Sequence, residues 1–360
     1  MPAETTPSRA SPVAQPAARA ATTAPASQPV VVITGASAGV GRAVATEFAR
    51  HGWRVALLAR GADGLAGAQR DVEHQGSEAL VVPTDVAESQ QVEAAADEVI
   101  RAWGRIDVWV NNAMATLFAD ALSISPTDFQ RATDVTYHGT VWGTLAALRH
   151  MKRQGHGTIV QVGSALAYRS IPLQAPYCGA KAAVRGFTDA LRCELVHERS
   201  PVHLTMVQLS AFNTPQFDWG RTAFDRRPRP MGKVFQPELA ARAVYWAATH
   251  RRREVWVGWP AVQAILGTLV MPGVLDRLLG RRAVSGQLTA EPLPPGHQDN
   301  LWQPVPGDHG AHGRFDAEAT PHSTQHWLNT HRGSLAAAGL MVWAGWLAVR
   351  QARLRRANGR

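Results

Sequence analysis

Two cysteines in 360 residues exclude a disulfide scaffold and leave too few thiolates for a zinc ribbon or a four-cysteine cluster. Lysine is almost absent: Lys152, Lys181 and Lys233 are the only three, so the formal charge of +9 is carried by arginine. Such a balance fits attraction to an anionic cofactor, a lipid or a nucleic acid, and does not choose among them. Charged residues are few, 18% against 45% hydrophobic, which excludes a wholly disordered chain. The first 29 residues contain no aromatic side chain; 22 of them are Ala, Pro, Ser or Thr, and six are prolines. A segment of this kind buries too little to offset its ordering entropy, so residues 1–29 are expected to be a disordered tail. They hold no continuous apolar run of the secretory kind, so a cytoplasmic location is expected.

From Val30 the pattern changes. Val30-Val31-Val32-Ile33 is a short apolar run, as in a buried strand. Thr34-Gly35-Ala36-Ser37-Ala38-Gly39-Val40-Gly41-Arg42 follows, then a helical stretch with Val44, Ala45 and Phe48, stopped by Gly52. Arg54 to Ala59 reads as a second strand. Strand, glycine-rich turn, helix and strand make the first unit of a dinucleotide-binding fold. The glycines let the backbone turn and approach a pyrophosphate, and the helix N-terminus offers amides to it. Alternation continues: strands at 80–84, 106–110 and 158–162, and helices from Ser89 to Trp103 and from about Pro126 to Met151. The expected class is α/β, a doubly wound parallel sheet. Gly35, Ala59, Asp85, Asn112 and Ser164 fall at or just past strand ends, where ligands of such sheets sit.

Tyr177-Cys178-Gly179-Ala180-Lys181 opens a further helix, placing Tyr177 and Lys181 on one face. A phenol with a free pKa of about 10 is a poor acid–base at neutral pH. A neighbouring ammonium favours the phenolate. Ser164, at the end of the fifth strand, offers a hydroxyl to the same substrate oxygen.

These residues together resemble the short-chain dehydrogenase/reductase family in its single-domain Rossmann form. The matches are Thr34 to Gly41, Asp85, Asn111-Asn112-Ala113, Ser164, Tyr177-xxx-Lys181 and Thr214, spread over about residues 30 to 260. The resemblance implies an enzyme acting on CH–OH groups with a nicotinamide dinucleotide. It implies a cofactor site of Gly35, Ser37, Gly39, Val40, Gly41, Asp85, Val86, Asn112, Tyr177, Lys181 and Thr214, and a Ser164–Tyr177–Lys181 catalytic set. It also implies a small-molecule carbonyl or alcohol substrate and a homo-oligomer. Three positions depart from the family pattern: Met114 replaces a glycine, Ser210-Ala211 replaces Pro-Gly, and Thr136-Tyr137-His138-Gly139 stands where a fourth catalytic Asn is common. Thr136 is therefore the candidate for an altered proton relay. A catalytically weak dinucleotide-binding sensor or scaffold is the alternative that Thr136 supports.

After the second strand there is no acid for a ribose 2′-hydroxyl; the chain reads Ala59-Arg60. A guanidinium attracts a 2′-phosphate. NADP(H) is thus expected over NAD(H), with Arg60 as the phosphate contact and Arg42 as a second charge. Residues 30–280 form the expected catalytic domain. Within it, 211–235 interleaves Phe212, Phe217, Trp219, Phe224 and Phe235 with arginines, and 255–275 carries no charge. In the family the first of these stretches is a substrate lid. The second reads as a strand plus an apolar helix, and both favour a hydrophobic substrate. No single-strand-binding fold accompanies the aromatic–Arg stretch, so no nucleic-acid partner is expected. Residues 281–332 are a polar Pro/Gly/His-rich extension, expected to be loosely ordered, and their histidines lack metal spacing. Residues 333–349 are uncharged, and Arg350, Arg353, Arg355, Arg356 and Arg360 follow. An apolar helix with a basic end over 333–360 suits either a membrane surface or docking on protein.

Overall fold

The computed structural model describes residues 28–358, so nearly all of the expected N-terminal tail lies outside the described residues. Seven parallel strands form one sheet: β1 (Val30–Thr34), β2 (Arg54–Ala59), β3 (Ala79–Pro83), β4 (Val108–Asn111), β5 (Thr158–Ser164), β6 (His203–Leu209) and β7 (Glu254–Val257). The spatial order is β7-β6-β5-β4-β1-β2-β3. The order reverses beside β1, so a crevice opens above the carboxyl ends of β1 and β4. β1 is buried along its whole length, which is why its four leading residues are all β-branched and apolar rather than alternating.

Helices α1 (Gly39–Arg50), α2 (Ala62–His74), α3 (Ser89–Trp103), α4 (Pro126–Thr133), α5 (Gly139–Gln154), α6 (Ala175–His197) and α7 (Pro237–Thr249) cover the two faces. One core packs α1, α2 and α7 on the sheet around Phe48, Leu57, Leu65 and Val244. The other packs α3, α5 and α6 around Val99, Trp109, Leu148 and Leu191. The helix expected from Pro126 is capped by Ser125, whose hydroxyl accepts from Asp128 N at 3.1 Å, with Pro126 in the first turn. It is not one smooth helix: a wide π-helical turn over Asp134–His138 separates α4 from α5. Cys178 and Cys193 both lie on α6 and both are free thiols.

The apolar 255–275 stretch is β7 followed by α8 (Trp259–Val270), and α9 (Pro272–Gly286) folds back from it as a hairpin. The last helix, α10 (Thr324–Asn358), is long. No helix among the described residues is long and apolar enough to cross a membrane. The expected loose order of 281–332 needs correcting. Much of this segment is irregular in secondary structure, yet residues 299–316 are docked along the sheet's crevice by named polar contacts. Leu301 and Phe315 are buried within the cores. A composition-based expectation of disorder fails here because the catalytic domain supplies the apolar and charged partners that the segment itself lacks.

Candidate active site

The glycine turn between β1 and α1 is shaped by contact as well as by conformation. Gly39 has φ +58°, and a Cβ at Gly41 would lie 2.2 Å from the Gly35 carbonyl oxygen. Neither position tolerates a side chain without moving backbone. Asn112 locks the turn to the end of β4: its amide donates to Thr34 O at 3.0 Å and Gly35 O at 3.3 Å. Asn111 faces the interior instead, donating to Thr144 Oγ1 and Gln161 Oε1.

A cavity of about 410 Å³ runs along the crevice, within the range of cofactor and substrate sites. Gly35, Ser37, Gly39, Val40, Arg60, Asp85, Val86 and Asn112 line it. Ser164, Tyr177, Lys181 and Thr214 line the same space, and Thr214 lies against Gly39 of the turn. Positions from seven separate chain segments thus meet in one space. Gly41 lies beneath the lining, where its missing Cβ matters. Thr136 is fully buried and outside the lining. Its hydroxyl accepts from Ala115 N at 3.0 Å and donates to Ala115 O at 3.2 Å. Both hydrogen-bonding roles of Thr136 are spent on the loop after β4.

Ser164 Oγ accepts from Leu166 N at 3.1 Å. Lys181 is buried and its ammonium donates to Val162 O at 2.6 Å, lying 5.7 Å from the centre of the Tyr177 ring. Burial pulls the Lys181 pKa down to about 8. Burial also pushes the Tyr177 phenol above its usual value, and a hydrogen bond with Ser164 works in the opposite direction. The cavity also has apolar walls, with Phe217, Trp219, Met231, Ala261, Ala264 and Leu279. Among the described residues no cluster of three or more metal-ligating side chains occurs.

Two parts of the site escaped sequence reasoning. Asp85 is not isolated: its carboxylate is ion-paired to Arg131 at 2.5 Å and accepts from Ala87 N. Residues 299–316 form a strap across the outer side of the cavity. Arg60 donates to the carbonyls of Asn300, Leu301 and Trp302. Asp308 pairs with Arg42 at 2.7 Å and Arg70 at 3.3 Å. Gly39 N donates to Gly310 O at 3.0 Å, and Phe315 N to Asn213 Oδ1 at 2.9 Å. The expected second charge is thereby corrected: Arg42 is buried between Asp71 and Asp308 and does not line the cavity.

The short chain dehydrogenase family profile matches residues 29–221. The chain belongs to the short-chain dehydrogenase family. It is an oxidoreductase of that family, of the kind that acts on CH–OH groups with a nicotinamide dinucleotide. The uncharacterized oxidoreductase YxnA of Bacillus subtilis is 32% identical over 88% of this chain and 89% of its own. That span is too long to leave out the C-terminal extension. The putative oxidoreductase SadH of Mycobacterium tuberculosis is 32% identical over 69% of this chain and 93% of its own. An alcohol dehydrogenase from the archaeon Thermococcus sibiricus, solved with 5-hydroxy-NADP, is 27% identical. It superposes with a TM-score of 0.56, covering 64% of this chain and 96% of that one. A metagenomic short-chain oxidoreductase solved with NADP superposes with a TM-score of 0.55 at 25% identity, covering 64% of this chain and 96% of that one.

The residues present fit a dinucleotide. The turn lacks the Cβ atoms that would fill it, and one cavity takes in the turn, an arginine and the Ser–Tyr–Lys set.

Proposed function

We propose that this short-chain dehydrogenase is an NADP(H)-dependent enzyme that interconverts a hydrophobic carbonyl compound and its alcohol, with Tyr177 as the acid–base. The observation that carries this reading is the meeting of Ser164, Tyr177, Lys181 and Arg60 in the lining of one cavity. The cofactor supplies or accepts a hydride there when bound. Tyr177 protonates the carbonyl oxygen in reduction and takes the proton back in oxidation. Ser164 holds that oxygen through its hydroxyl. Lys181, with a pKa of about 8, keeps mostly its charge at neutral pH and favours the phenolate against the burial that opposes it. Thr136 acts as a positioning residue for the loop after β4.

The Arg60 guanidinium is held by three backbone carbonyls. These orient it without neutralising it, so its charge remains available to a 2′-phosphate. The two solved relatives that carry NADP or its 5-hydroxy derivative support the same preference. Apolar walls from α8 and α9 support a hydrophobic substrate. The exposed Leu340, Met341, Val342 and Trp343 of α10 support contact with a membrane surface through 333–360. They do not pack on the catalytic domain.

NADPH oxidation with a panel of long-chain, aromatic and polycyclic carbonyl compounds tests the reading. At least one is reduced, and Tyr177→Phe lowers that turnover by about 10³-fold while binding NADPH as the parent does. Near-normal turnover by the variant removes Tyr177 from the acid–base role.

A further inference from the structure

We infer that the α8–α9 hairpin is the face by which this enzyme sits on an anionic lipid surface, with its substrate cavity opening just behind. α8 has no charged residue. Its inner side is built into the enzyme: Ala261 and Ile265 are buried, and Ala261 and Ala264 line the cavity. Its outer side is bare, with Leu266 47%, Leu269 73% and Val270 75% exposed. The bare row continues through Met271, Val274 and Leu278 onto α9. A surface helix ordinarily turns its polar side outward; a continuous apolar row in that place marks an interaction face.

Charge selects the occupant. Arg277, Arg281 and Arg282 stand exposed on α9 beside Leu278. The single acid of the hairpin, Asp276, is already ion-paired to Arg169 at 2.5 Å. A second copy meeting this face about a two-fold axis sets the same arginines against one another. Lipid phosphates complement them. Trp259, 58% exposed at the start of α8, has the side chain favoured at a lipid–water boundary.

The other exposed apolar helix springs from the same corner. Gly258, the residue before α8, donates its N–H to Gln325 Oε1 at 2.9 Å, and the Gln325 amide donates to Trp256 O at 3.1 Å. Gln325 lies in the first turn of α10. Both bare apolar elements are therefore rooted at the end of β7. Because Ala264 and Leu279 of the hairpin line the cavity, an apolar substrate dissolved in lipid has a short route to Tyr177. That last consequence rests on the proposed function; the lipid contact does not.

The test uses the full-length chain in two kinds of vesicle, pure phosphatidylcholine and phosphatidylcholine with phosphatidylglycerol. Two double variants accompany it: Leu269→Gln with Val270→Gln, and Arg281→Glu with Arg282→Glu. None of these residues lines the cavity. Melting temperature and NADPH oxidation with a water-soluble carbonyl compound should match the parent, which establishes folding. Expected is co-flotation of the parent with the anionic vesicles and a loss of more than about tenfold in partition for each variant. A parent that stays out of both vesicle types overturns the inference. So does flotation that survives both variants and is lost only on truncation after Arg332, which assigns the contact to α10. A dimer that the hairpin variants dissociate, without flotation, gives the face to a second copy and overturns it too. Finally, a long-chain aldehyde is offered in vesicles and in detergent. Flotation without any preference for the vesicle-borne aldehyde keeps the lipid contact and removes the substrate reading.

Discussion

Arg42 and Arg60 stand close to the glycine turn in sequence and have opposite surroundings in the fold. Two carboxylates neutralise Arg42, and burial further encloses it. Only neutral carbonyls hold Arg60. Arg60→Asp should weaken NADPH binding by about 10- to 100-fold, the worth of a charge-assisted contact, and shift preference toward NADH. Arg42→Ala should instead leave Asp71 and Asp308 without their shared partner and lower stability by about 2 kcal/mol. The NADPH-to-NADH ratio should stay as it was. Fluorescence titration of both cofactors alongside thermal melts separates the two effects. Equal changes in cofactor preference for both variants would show that the distinction drawn from their partners is wrong.

At the scale of elements, the strap is the feature that sets this chain apart from a bare Rossmann domain. It is tied to the body at four points, Arg60, Arg42, Gly39 and Asn213. Asn300, Pro304, Val305, Gly307 and His309 of the strap line the cavity. Asp308→Asn removes the charge that holds the strap to Arg42 and Arg70, so the segment should open more often. Stopped-flow release of NADPH should accelerate several-fold, with faster amide exchange over 303–312 and little change in the chemical step. An unchanged release rate would show that the strap does not gate the cofactor. A second element carries a pH response. His326, at the root of α10, is buried, and its pKa is pulled down to about 4 by burial, with Arg242 of α7 and His331 of α10 adding to the effect. Its Nδ1 has no hydrogen-bond partner. Between pH 6.5 and 4 the unfolded chain binds this proton and the folded one does not. Stability is therefore lost as pH falls through that window and is restored as pH rises. The size is on the order of 2–3 kcal/mol. Amide protection factors at 323–331, referred to the intrinsic exchange rate at each pH, should fall on acidification, and His326→Leu should blunt the response.

The whole molecule divides into a sheet-centred body and an exposed apolar periphery. Beyond its first turns, α10 exposes Leu335, Leu340, Met341 and Val342, so the body does not depend on them for burial. Truncation after Arg332 should leave the melting temperature within about 2 °C of the parent and turnover on a soluble substrate unaltered. It should reduce, without abolishing, binding to anionic vesicles. A large drop in melting temperature would place the helix within the folded core or a stabilising interface.

The sequence by itself determined the body. Buried parallel strands need apolar runs, and β1 and β2 show them as the unbroken stretches Val30–Ile33 and Val55–Ala59. The glycine turn and the Tyr177–Lys181 spacing act through residues a few positions apart, so both are legible one after another along the chain. The helix of Ser89 to Trp103 has those bounds in the structure, because its apolar face and the Gly104 stop are local signals. What tertiary structure alone decided is long-range. Nothing near Arg60 announces that the carbonyl of Asn300, 240 residues away, will hold it. The role of Thr136 depended on where Ala115 falls, and the partners of Arg42 on where Asp308 falls. The strap is irregular backbone held by partners on the body. Its composition therefore reads as loose, while its contacts hold it in place. The bare face of α8 is of the same kind. An uncharged helix can be buried on all sides or exposed on one, and only the packing of α9 and the catalytic domain against its other side settles which.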